Sequence, residues 1–338
     1  MKISTRAIIG LVSAAAIGGC ASAPTVQVPD TEVAALMRSD LNYLAGRPLM
    51  GRLTGTAGND SAATYIARRY IQLGLEPLFG KRECLPDCTK SYLEAFRVPH
   101  RAVDQLDVRI RDHTQNVAAM LRGTDSVLNK EYIVVGAHYD HIGQSTVYAR
   151  DPQVFRAVHL GADDNASGTV AVMELARRLA ASPPRRSVIF ANFSAEELGL
   201  IGSSVFVENI PVPIGDVITM VNLDMVGRLR DDRLVLHTGW AGNRIRQVAD
   251  SVRVISPAIH LQLVWRSAAD EASDQISFDE VHVPVFSPFT DLHVDYHAAG
   301  DVADRINFAG MEKIVDFTER VIRALGDGNS RPAAASTH

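Results

Sequence analysis

The sequence predicts an α/β protein with three layers, α/β/α, in which helices cover both faces of a mostly parallel central sheet. Four short apolar runs have the length of strands, and the first three are apolar on both faces: residues 132–135, 187–193, 217–223 and 283–286. Helical segments separate these runs. Strands that alternate with helices imply crossover connections and parallel pairing.

The clearest of the intervening helices is predicted from Ser167 to Ala181, because apolar residues recur at helical spacing and Pro183-Pro184 ends the segment. Two more helices are predicted near the start. Asp30-Thr31-Glu32 is a start signal for the run 33–44, and Asn59-Asp60-Ser61 precedes apolar positions that continue to Leu73. Residues 92–122 alternate in the manner of strands.

Composition narrows the class of protein. The chain has 338 residues, 46% of them apolar, with 34 Lys and Arg against 39 Asp and Glu and a formal net charge of −5. These values are typical of a globular protein that can bury a core of its own. Without a long basic run, the chain is not expected to bind nucleic acid, whose affinity for proteins rests on neutralised phosphates.

The first residues have the pattern of a bacterial export signal. Lys2 and Arg6 precede the apolar run 7–17, which is too short to span a bilayer as a helix. The following Ile17-Gly18-Gly19-Cys20 resembles a lipobox, in which lipidated Cys20 becomes the first residue of the mature protein. The alternative is a soluble exported protein cleaved after Ala23, although Pro24 makes that a poor cleavage site.

The predicted organisation is therefore a signal peptide over residues 1–19, a linker over 20–30, one folded domain over 31–328 and a flexible tail over 329–338. The lipid on Cys20 would hold the protein to a membrane of the cell envelope, on the periplasmic side or at the outer membrane. The alternative location is soluble, in the periplasm or outside the cell. The other two cysteines, Cys84 and Cys88, are predicted to form a small local disulfide, with a metal or redox pair as the alternative.

Polar residues follow the first three predicted strands where each strand ends. His138 and Asp140 follow the first, Glu196-Glu197 the second and Asp224 the third, and the loop 161–168 adds further carboxylates before a helix. Because ligands bind outside the carboxyl ends of strands in open α/β sheets, we expect these side chains to share one site there. So many acids in one place require a cation.

Imidazole and carboxylate ligands without thiolates suit zinc, with manganese or cobalt as alternatives. One metal ion would not need so many acids. Two ions about 3.5–4 Å apart, bridged by one carboxylate and a water, would. The sequence therefore predicts a two-metal centre at the carboxyl ends of the strands.

Five separated motifs in this region resemble those of the co-catalytic di-zinc aminopeptidases of the bacterial leucyl aminopeptidase type, within the peptidase and glutaminyl cyclase superfamily. The motifs share their order and spacing with that family, and the resemblance spans roughly residues 116–320, with a weaker echo in GRLTGTAG at 51–58. They are HYDHIG at 138–143, GADDNASG at 161–168, SAEELGLIGS at 194–203, NLDMVG at 222–227, and DYHAAGD at 295–301 with the preceding SDQISF at 273–278.

The resemblance implies a role for each matching residue. His138 and Asp224 would be terminal ligands of one zinc, Glu197 and His297 terminal ligands of the other, and Asp164 would bridge both. Three further residues would serve catalysis: Asp140 by orienting His138, Glu196 as general base, and Tyr296 by stabilising the oxyanion. The sequence departs from the family's His-Thr-Pro pattern in reading His297-Ala298-Ala299.

The activity that the resemblance implies is removal of N-terminal residues from peptides with a free amino terminus, through a hydroxide that bridges two Zn²⁺ ions. Glutaminyl cyclase, carboxypeptidase and dipeptidase activities on the same fold remain alternatives. A non-catalytic lipoprotein that binds peptides is a further one.

Several neighbouring residues receive structural interpretations. His141 is expected to line the cleft rather than to bind metal, Asp163 to leave the bridging role to Asp164, and Asp301 to be structural. His159 and His293 are interpreted as loop residues within reach of substrate. No motif identifies the pocket for the substrate side chain. Four aromatic residues are candidates for lining it, although aromatic residues near the ends of a sheet more often belong to the core: Trp265, Phe278, Phe286 and Phe289.

Overall fold

The structure is a computed structural model that describes residues 31–80, 88–154, 157–239 and 242–332. The signal peptide, the whole linker with Cys20, and Cys84 lie outside the described residues, so the predictions for them are not tested. Cys88 is disulfide-bonded, and its pairing with Cys84 stays a prediction. Among the described residues, no helix is both long and apolar enough to cross a bilayer.

Within the described ranges, nine strands form one sheet. They are β1 (Glu76–Pro77), β2 (Leu93–Arg97), β3 (His113–Leu121), β4 (Tyr132–His138), β5 (Ser187–Phe193), β6 (Val217–Asn222), β7 (Arg233–Thr238), β8 (Gln262–Ser267) and β9 (Val285–Phe289). The strand order is β1-β3-β5-β4-β6-β9-β7-β8, with β2 also paired to β3. The central strands β5, β4, β6 and β9 run parallel, whereas β3 and β7 pair antiparallel at either side. The prediction of a mostly parallel centre is confirmed.

The α-helices of the described residues are α1 (Glu32–Leu44), α2 (Ala57–Gln72), α3 (His100–Asp104), α4 (Gly168–Ala181), α5 (Ile201–Asn209), α6 (Gly242–Ile255), α7 (Gln275–Asp279) and α8 (Phe308–Asp327). Helix α1 begins as predicted, because the Thr31 side chain accepts a hydrogen bond from the backbone N–H of Ala34. Helix α2 begins earlier than predicted, since Thr56 and not Asn59-Asp60-Ser61 is its N-cap. The region 92–122 contains α3 in addition to two strands.

Strand β4 shows why the fold has three layers. Its residues Ile133, Val135 and Ala137 belong to the core shared with α1, α2, α4, α6 and α8, whereas Val134 packs on the other face with Phe206 of α5 and Phe278 of α7. Successive side chains of a strand point to opposite faces, so a strand covered on both sides must be apolar throughout. This double burial explains the continuous apolar runs of the sequence. It also leaves the strand ends as the place where polar groups gather.

Candidate metal centre

The central strands deliver the predicted site residues to one cleft. His138 is the last residue of β4, the Glu196-Glu197 pair follows β5, Asp224 follows β6, and His297 lies in the loop after β9. Asp164 comes from the loop before α4. A cleft of about 410 Å³ is lined by all of these residues and by Tyr296. The structure therefore brings the predicted ligands together at the carboxyl ends of the strands.

Local backbone shape turns these side chains inward. Adjacent side chains of a strand face opposite ways, so Glu196 and Glu197 can both enter the cleft only from an irregular loop. Ala195 supplies it with a φ of 59°, and Met225 and His297 have φ values of 49° and 53°. Such left-handed conformations are uncommon for residues other than glycine. Helix α5 begins only at Ile201, so the glutamates are not part of its first turn.

The potential ligand atoms form two groups. Within each group, all potential ligand atoms lie within 4.8 Å of one another. The first group contains His138, Glu196 and Asp224. The second group contains His141, Asp164, Glu197 and His297. The His138 Nε2 atom lies 3.4 Å from Asp224 Oδ1. The His297 Nε2 atom lies 3.1 Å from Glu197 Oε2. The grouping of terminal ligands matches the pairs that the resemblance implies.

Asp164 connects the two groups through its two oxygens. Its Oδ1 lies 3.4 Å from His138 Nε2, and its Oδ2 lies 3.1 Å from His297 Nε2. Asp163 is engaged elsewhere, because its Oδ1 accepts the backbone N–H of Gly227 at 2.6 Å and its Oδ2 lies 3.1 Å from His293 Nε2. Asp164, and not Asp163, is thus placed to bridge.

Both imidazoles of the predicted ligand set are held in one orientation. The Nδ1 atom of His138 donates to the carbonyl oxygen of Asp140 at 3.2 Å, and that of His297 donates to the carbonyl oxygen of Tyr148 at 3.0 Å. A backbone acceptor on one ring nitrogen fixes the other as the free, metal-binding nitrogen. Both Nε2 atoms therefore face the carboxylates.

The carboxylate of Asp140 lies 3.7 Å from His138 Nδ1, farther than the residue's own carbonyl oxygen. It accepts hydrogen bonds instead from the Thr54 hydroxyl at 2.9 Å and from the backbone N–H of Glu196 at 3.2 Å. The Thr54 hydroxyl in turn accepts the N–H of Ala195 at 3.1 Å. Asp140 thus holds both the His138 turn and the Glu196 loop in place.

Asp301 holds the loop that carries Asp164. Its carboxylate is fully buried and accepts the backbone N–H of Asp163 at 3.0 and 2.9 Å and that of Asp164 at 3.0 Å. Gly161 begins this loop with a φ of 59°, and a Cβ there would lie 2.1 Å from the carbonyl oxygen of Asp164. The structural interpretation of Asp301 agrees with these contacts.

A fully buried guanidinium ties the loops to the N-terminal part of the chain. Arg52 donates to the carbonyl oxygens of Leu44, Tyr139, Leu160 and Gly161 at 2.7–2.9 Å. Burial lowers the pKa of Arg52 to about 10, against the opposing effect of nearby carboxylates, beginning with Asp140. The side chain remains charged at neutral pH and balances part of the acidity of the site. It comes from the GRLTGTAG stretch.

The imidazole and carboxyl groups of the site shift one another's pKa values. Burial alone would lower the pKa of His138, but Glu196 and Asp224 outweigh it and hold that pKa well above its usual value. Burial is likewise outweighed at His297, whose pKa Glu197 and Asp164 raise to about 11. Burial and Asp164 would raise the pKa of Glu197, but His297 and His141 lower it to about 2. The imidazoles and carboxylates of the site thus stabilise one another's charged forms.

Glu196 behaves differently from Glu197. Burial, followed by the charges of Glu197, Asp274 and Asp224, raises the pKa of Glu196 well above its usual value despite the opposing effect of His138. Two adjacent carboxyl groups whose pKa values are driven apart are typical of a ligand beside a proton carrier. Asp274 is fully buried, neither of its oxygens has a hydrogen-bond partner among the described residues, and burial raises its pKa to about 7.

The donor set fits two zinc ions. Asp164 Oδ2, Asp224 Oδ1 and His141 Nε2 are buried without a hydrogen-bond partner in the described part of the chain. Buried polar atoms are normally paired, so carboxylate oxygens left unpaired between two groups of ligands indicate a bound cation. Nitrogen and oxygen donors in sets of three or four suit zinc.

Sequence reasoning missed the position of His141. Its ring is fully buried and does not line the cleft; its Nδ1 lies 2.7 Å from Glu197 Oε1 and 3.7 Å from Asp164 Oδ2, within the second group of potential ligands. The spacing of three residues from His138 was the available signal. His159 was also misjudged, because it is buried with its ring nitrogens at Gly143 O and Asp151 Oδ1 and does not line the cleft.

The sequence of the chain matches one protein family over more than half of its length. Residues 116–322 match the model of peptidase family M28. The chain belongs to this family. The M28 match begins inside β3 and ends inside α8, so it includes every strand that delivers a ligand.

Curated relatives agree with this assignment. The aminopeptidase YwaD of Bacillus subtilis is 26% identical over 280 residues, which cover 82% of this chain and 53% of YwaD. A probable zinc metalloprotease of Leptosphaeria maculans is 32% identical over 185 residues, 53% of this chain and 38% of the relative. This M28 chain thus spans about half, or less, of the length of these relatives.

Solved structures share the fold. A Zn-dependent exopeptidase from Parabacteroides distasonis superimposes with a TM-score of 0.68 at 18% identity, over 88% of this chain and 99% of that one. An aminopeptidase from Aneurinibacillus sp. strain AM-1 gives a TM-score of 0.64 at 17% identity, over 90% and 96% of the two chains. The predicted α/β/α fold is confirmed by these similarities.

Proposed function

We propose that this M28 chain is a zinc-dependent aminopeptidase that hydrolyses the first peptide bond of substrates with a free amino terminus. The observation that carries the proposal is the placement of Asp164, whose two oxygens face two separate groups of ligands, with Glu196 beside one of them. Two adjacent metal sites with a neighbouring carboxylate suit the metal-assisted hydrolysis of a peptide bond.

The residues of the cleft have separate roles in metal binding and in catalysis. Zinc, when bound, polarises the substrate carbonyl and lowers the pKa of a bound water. His138, Asp224, Glu197, His297 and the bridging Asp164 would hold the two ions.

Glu196, whose pKa is raised above its usual value chiefly by burial, takes a proton from the attacking water and returns it to the leaving amine. Asp140 keeps the Glu196 loop in place by accepting its backbone N–H. Tyr296 lines the same cleft with its ring centroid 4.0 Å from that of His297, and donates to the developing oxyanion.

The test uses Glu196→Gln, which keeps the size of the side chain and removes the base. We expect near two zinc ions per chain in both proteins, cleavage of leucine p-nitroanilide by the wild type, and no cleavage of its N-acetylated form. The variant should lose about 10²–10⁴-fold in kcat, the usual contribution of a general base. Glu208→Gln, at an exposed position of α5, is the matched control and should retain wild-type activity.

Other results would favour the alternatives. One zinc per chain with ring closure on glutaminyl peptides would indicate a cyclase. Cleavage that continues after N-acetylation and requires a free carboxyl terminus would indicate a carboxypeptidase. A wild-type protein that binds peptides but no zinc, and cleaves nothing, would contradict an enzymatic function altogether.

We also propose that Cys20 anchors the protein in the cell envelope. The support is the basic start, the short apolar run 7–17 and the cysteine that follows it. Expressed with its N-terminal residues in a bacterium, the wild type should sediment with membranes, and Cys20→Ser should not. Recovery of the wild type in the soluble fraction, processed after Ala23, would contradict the anchor.

A further inference from the structure

The cleft extends beyond the ligand groups into a region that no assigned role uses. Nine of its lining residues belong to neither group of ligands. We refer to six of these nine as the side-chain pocket: Met225, His237, Glu271, Gln275, Ser287 and Phe289. Of the aromatic candidates from the sequence, Phe289 lines the cleft, whereas Phe278 and Phe286 are fully buried in the core.

Two strands form the floor of the side-chain pocket. His237 of β7 lies directly opposite Ser287 of β9 in the antiparallel register, and Phe289 is two residues further along β9. Opposed residues, and residues two apart on one strand, share a face of the sheet. The ring centroids of His237 and Phe289 are 5.6 Å apart. With Met225, Phe289 gives the pocket an apolar wall.

His237 is a buried polar side chain that lacks a partner. Its exposed fraction is 1%, and its Nε2 atom has no hydrogen-bond partner among the described residues. Burial, followed by the charge of Arg266, lowers the pKa of His237, so the ring is neutral and can accept a hydrogen bond. An unpaired nitrogen beside an apolar wall indicates a ligand that is partly apolar and partly polar.

Glu271 supplies a negative charge in the same pocket. It is half-buried, and no residue in the described ranges makes a hydrogen bond or ion pair with its carboxylate. The nearby Arg266 is committed to Asp291, to which it donates at 3.3 and 3.0 Å. The Gln275 amide holds the Glu271 backbone oxygen at 2.7 Å and so fixes the loop. Burial and then Asp224 and Asp291 raise the pKa of Glu271, against the opposing effect of Arg266.

The substrate offers two cations, the α-ammonium group and a basic side chain. The α-nitrogen is two bonds from the carbonyl carbon that is attacked, so it must stay beside the metal ligands. Glu271 and His237 belong to neither ligand group, within each of which the potential ligand atoms lie within 4.8 Å of one another. A side chain that extends from the α-carbon is the part of the substrate that enters the side-chain pocket.

Resting on the proposed aminopeptidase function, we propose that the side-chain pocket selects an N-terminal lysine or arginine. The methylene groups pack on Met225 and Phe289, the cationic end pairs with the Glu271 carboxylate, and His237 accepts a hydrogen bond from it. The aliphatic part of the substrate side chain thus contacts the apolar wall of the pocket, and its charged end contacts the anionic carboxylate.

The test compares lysine, arginine and norleucine p-nitroanilides with the zinc-loaded protein. Norleucine has the lysine stem without its ammonium group. We expect the wild type to prefer lysine over norleucine in kcat/KM by about tenfold or more, and Glu271→Gln to reduce that ratio by about 10- to 100-fold. Glu280→Gln, which removes an exposed acid just after α7, should leave the ratio as in the wild type. A wild-type preference for norleucine, or an equal loss for both substrates in Glu271→Gln, would overturn the inference.

A binding measurement separates the pocket from catalysis. By calorimetry, L-lysine hydroxamate should bind the zinc-loaded wild type about tenfold more tightly than L-norleucine hydroxamate, and Glu271→Gln should abolish the difference. If the wild type hydrolyses no aminoacyl substrate but keeps this preference, the proposed function fails and the pocket stands. If it hydrolyses both substrates with no preference in rate or binding, the pocket fails and the proposed function stands.

Discussion

The carboxylate of Asp301 offers a test of how the metal centre is held, because this residue touches no metal ligand side chain. Asp301→Asn keeps the shape of the side chain, removes its charge and replaces one acceptor by a donor. The backbone N–H groups of Asp163 and Asp164 now share both oxygens of Asp301 at 2.9–3.0 Å. In the variant, at least one N–H would face an amide NH₂ group.

The magnitude follows from these contacts. A hydrogen bond to a charged group contributes about 1.5–3 kcal/mol, and a buried donor left unpaired costs about 1–3 kcal/mol. We therefore expect Asp301→Asn to lower the free energy of unfolding of the metal-free protein by about 2–4 kcal/mol. Displacement of Asp164 should also weaken zinc binding by about 10–100-fold, the usual effect of losing a group that orients a ligand.

Two measurements check this prediction. Urea unfolding of the metal-free protein reports stability, and zinc retained against graded chelator concentrations reports affinity. Asp232→Asn is the control, since the Asp232 side chain is 40% exposed and pairs only with Lys313 among the described residues, at 2.7 Å; such surface pairs contribute about 1 kcal/mol or less. Wild-type zinc affinity in Asp301→Asn would refute the argument that this carboxylate positions Asp164.

Three further predictions follow from the geometry of the ligands. His141→Ala should lower the zinc affinity of the second ligand group by about 10–100-fold, and titration of metal-free protein with a competing zinc indicator would show it; unchanged affinity would mean that the ring neither binds zinc nor orients Glu197. Zinc binding should tighten as pH rises from 6 to 8, because the pKa of His297 is raised to about 11 and that of His138 well above its usual value, so both lose a proton when zinc binds. Calorimetry in two buffers of different ionisation enthalpy should give about two protons or more released at pH 7, and none would contradict the prediction. Gly161→Ala should yield protein with little zinc and reduced thermal stability, because its Cβ would lie 2.1 Å from Asp164 O and 2.4 Å from His141 Cγ; a zinc-loaded variant with the wild-type melting temperature would contradict it.

The parts of the site that lie at strand ends are predictable from the sequence. Double burial forces strands β4, β5 and β6 to be continuously apolar, so the point where each run stops marks the edge of the sheet. His138, Glu197 and Asp224 stand at those points, and the resemblance adds Asp164 and His297. Their convergence needs only parallel pairing of neighbouring strands.

The remaining features depend on tertiary structure. His138 ends β4 and His141 follows three residues later, but this spacing alone does not reveal that the turn directs both rings to the carboxylates. Strands β7 and β8 were not predicted, so His237 could not be placed on the floor of the cleft. The sequence does not distinguish Glu271 from other acidic residues. The structure does, because the nearby Arg266 is already paired with Asp291.

The hydrogen bonds of Arg52 set a lower limit on the part of the chain that can work alone. A protein trimmed to the matched region, residues 116–322, would lack this side chain and Thr54. The carbonyl oxygens of Tyr139, Leu160 and Gly161 would then lose their donor, and the carboxylate of Asp140 would lose one of its two partners. Any shortened version made for crystallisation or assay must therefore start upstream of residue 52, although the recognisable family sequence starts more than sixty residues later.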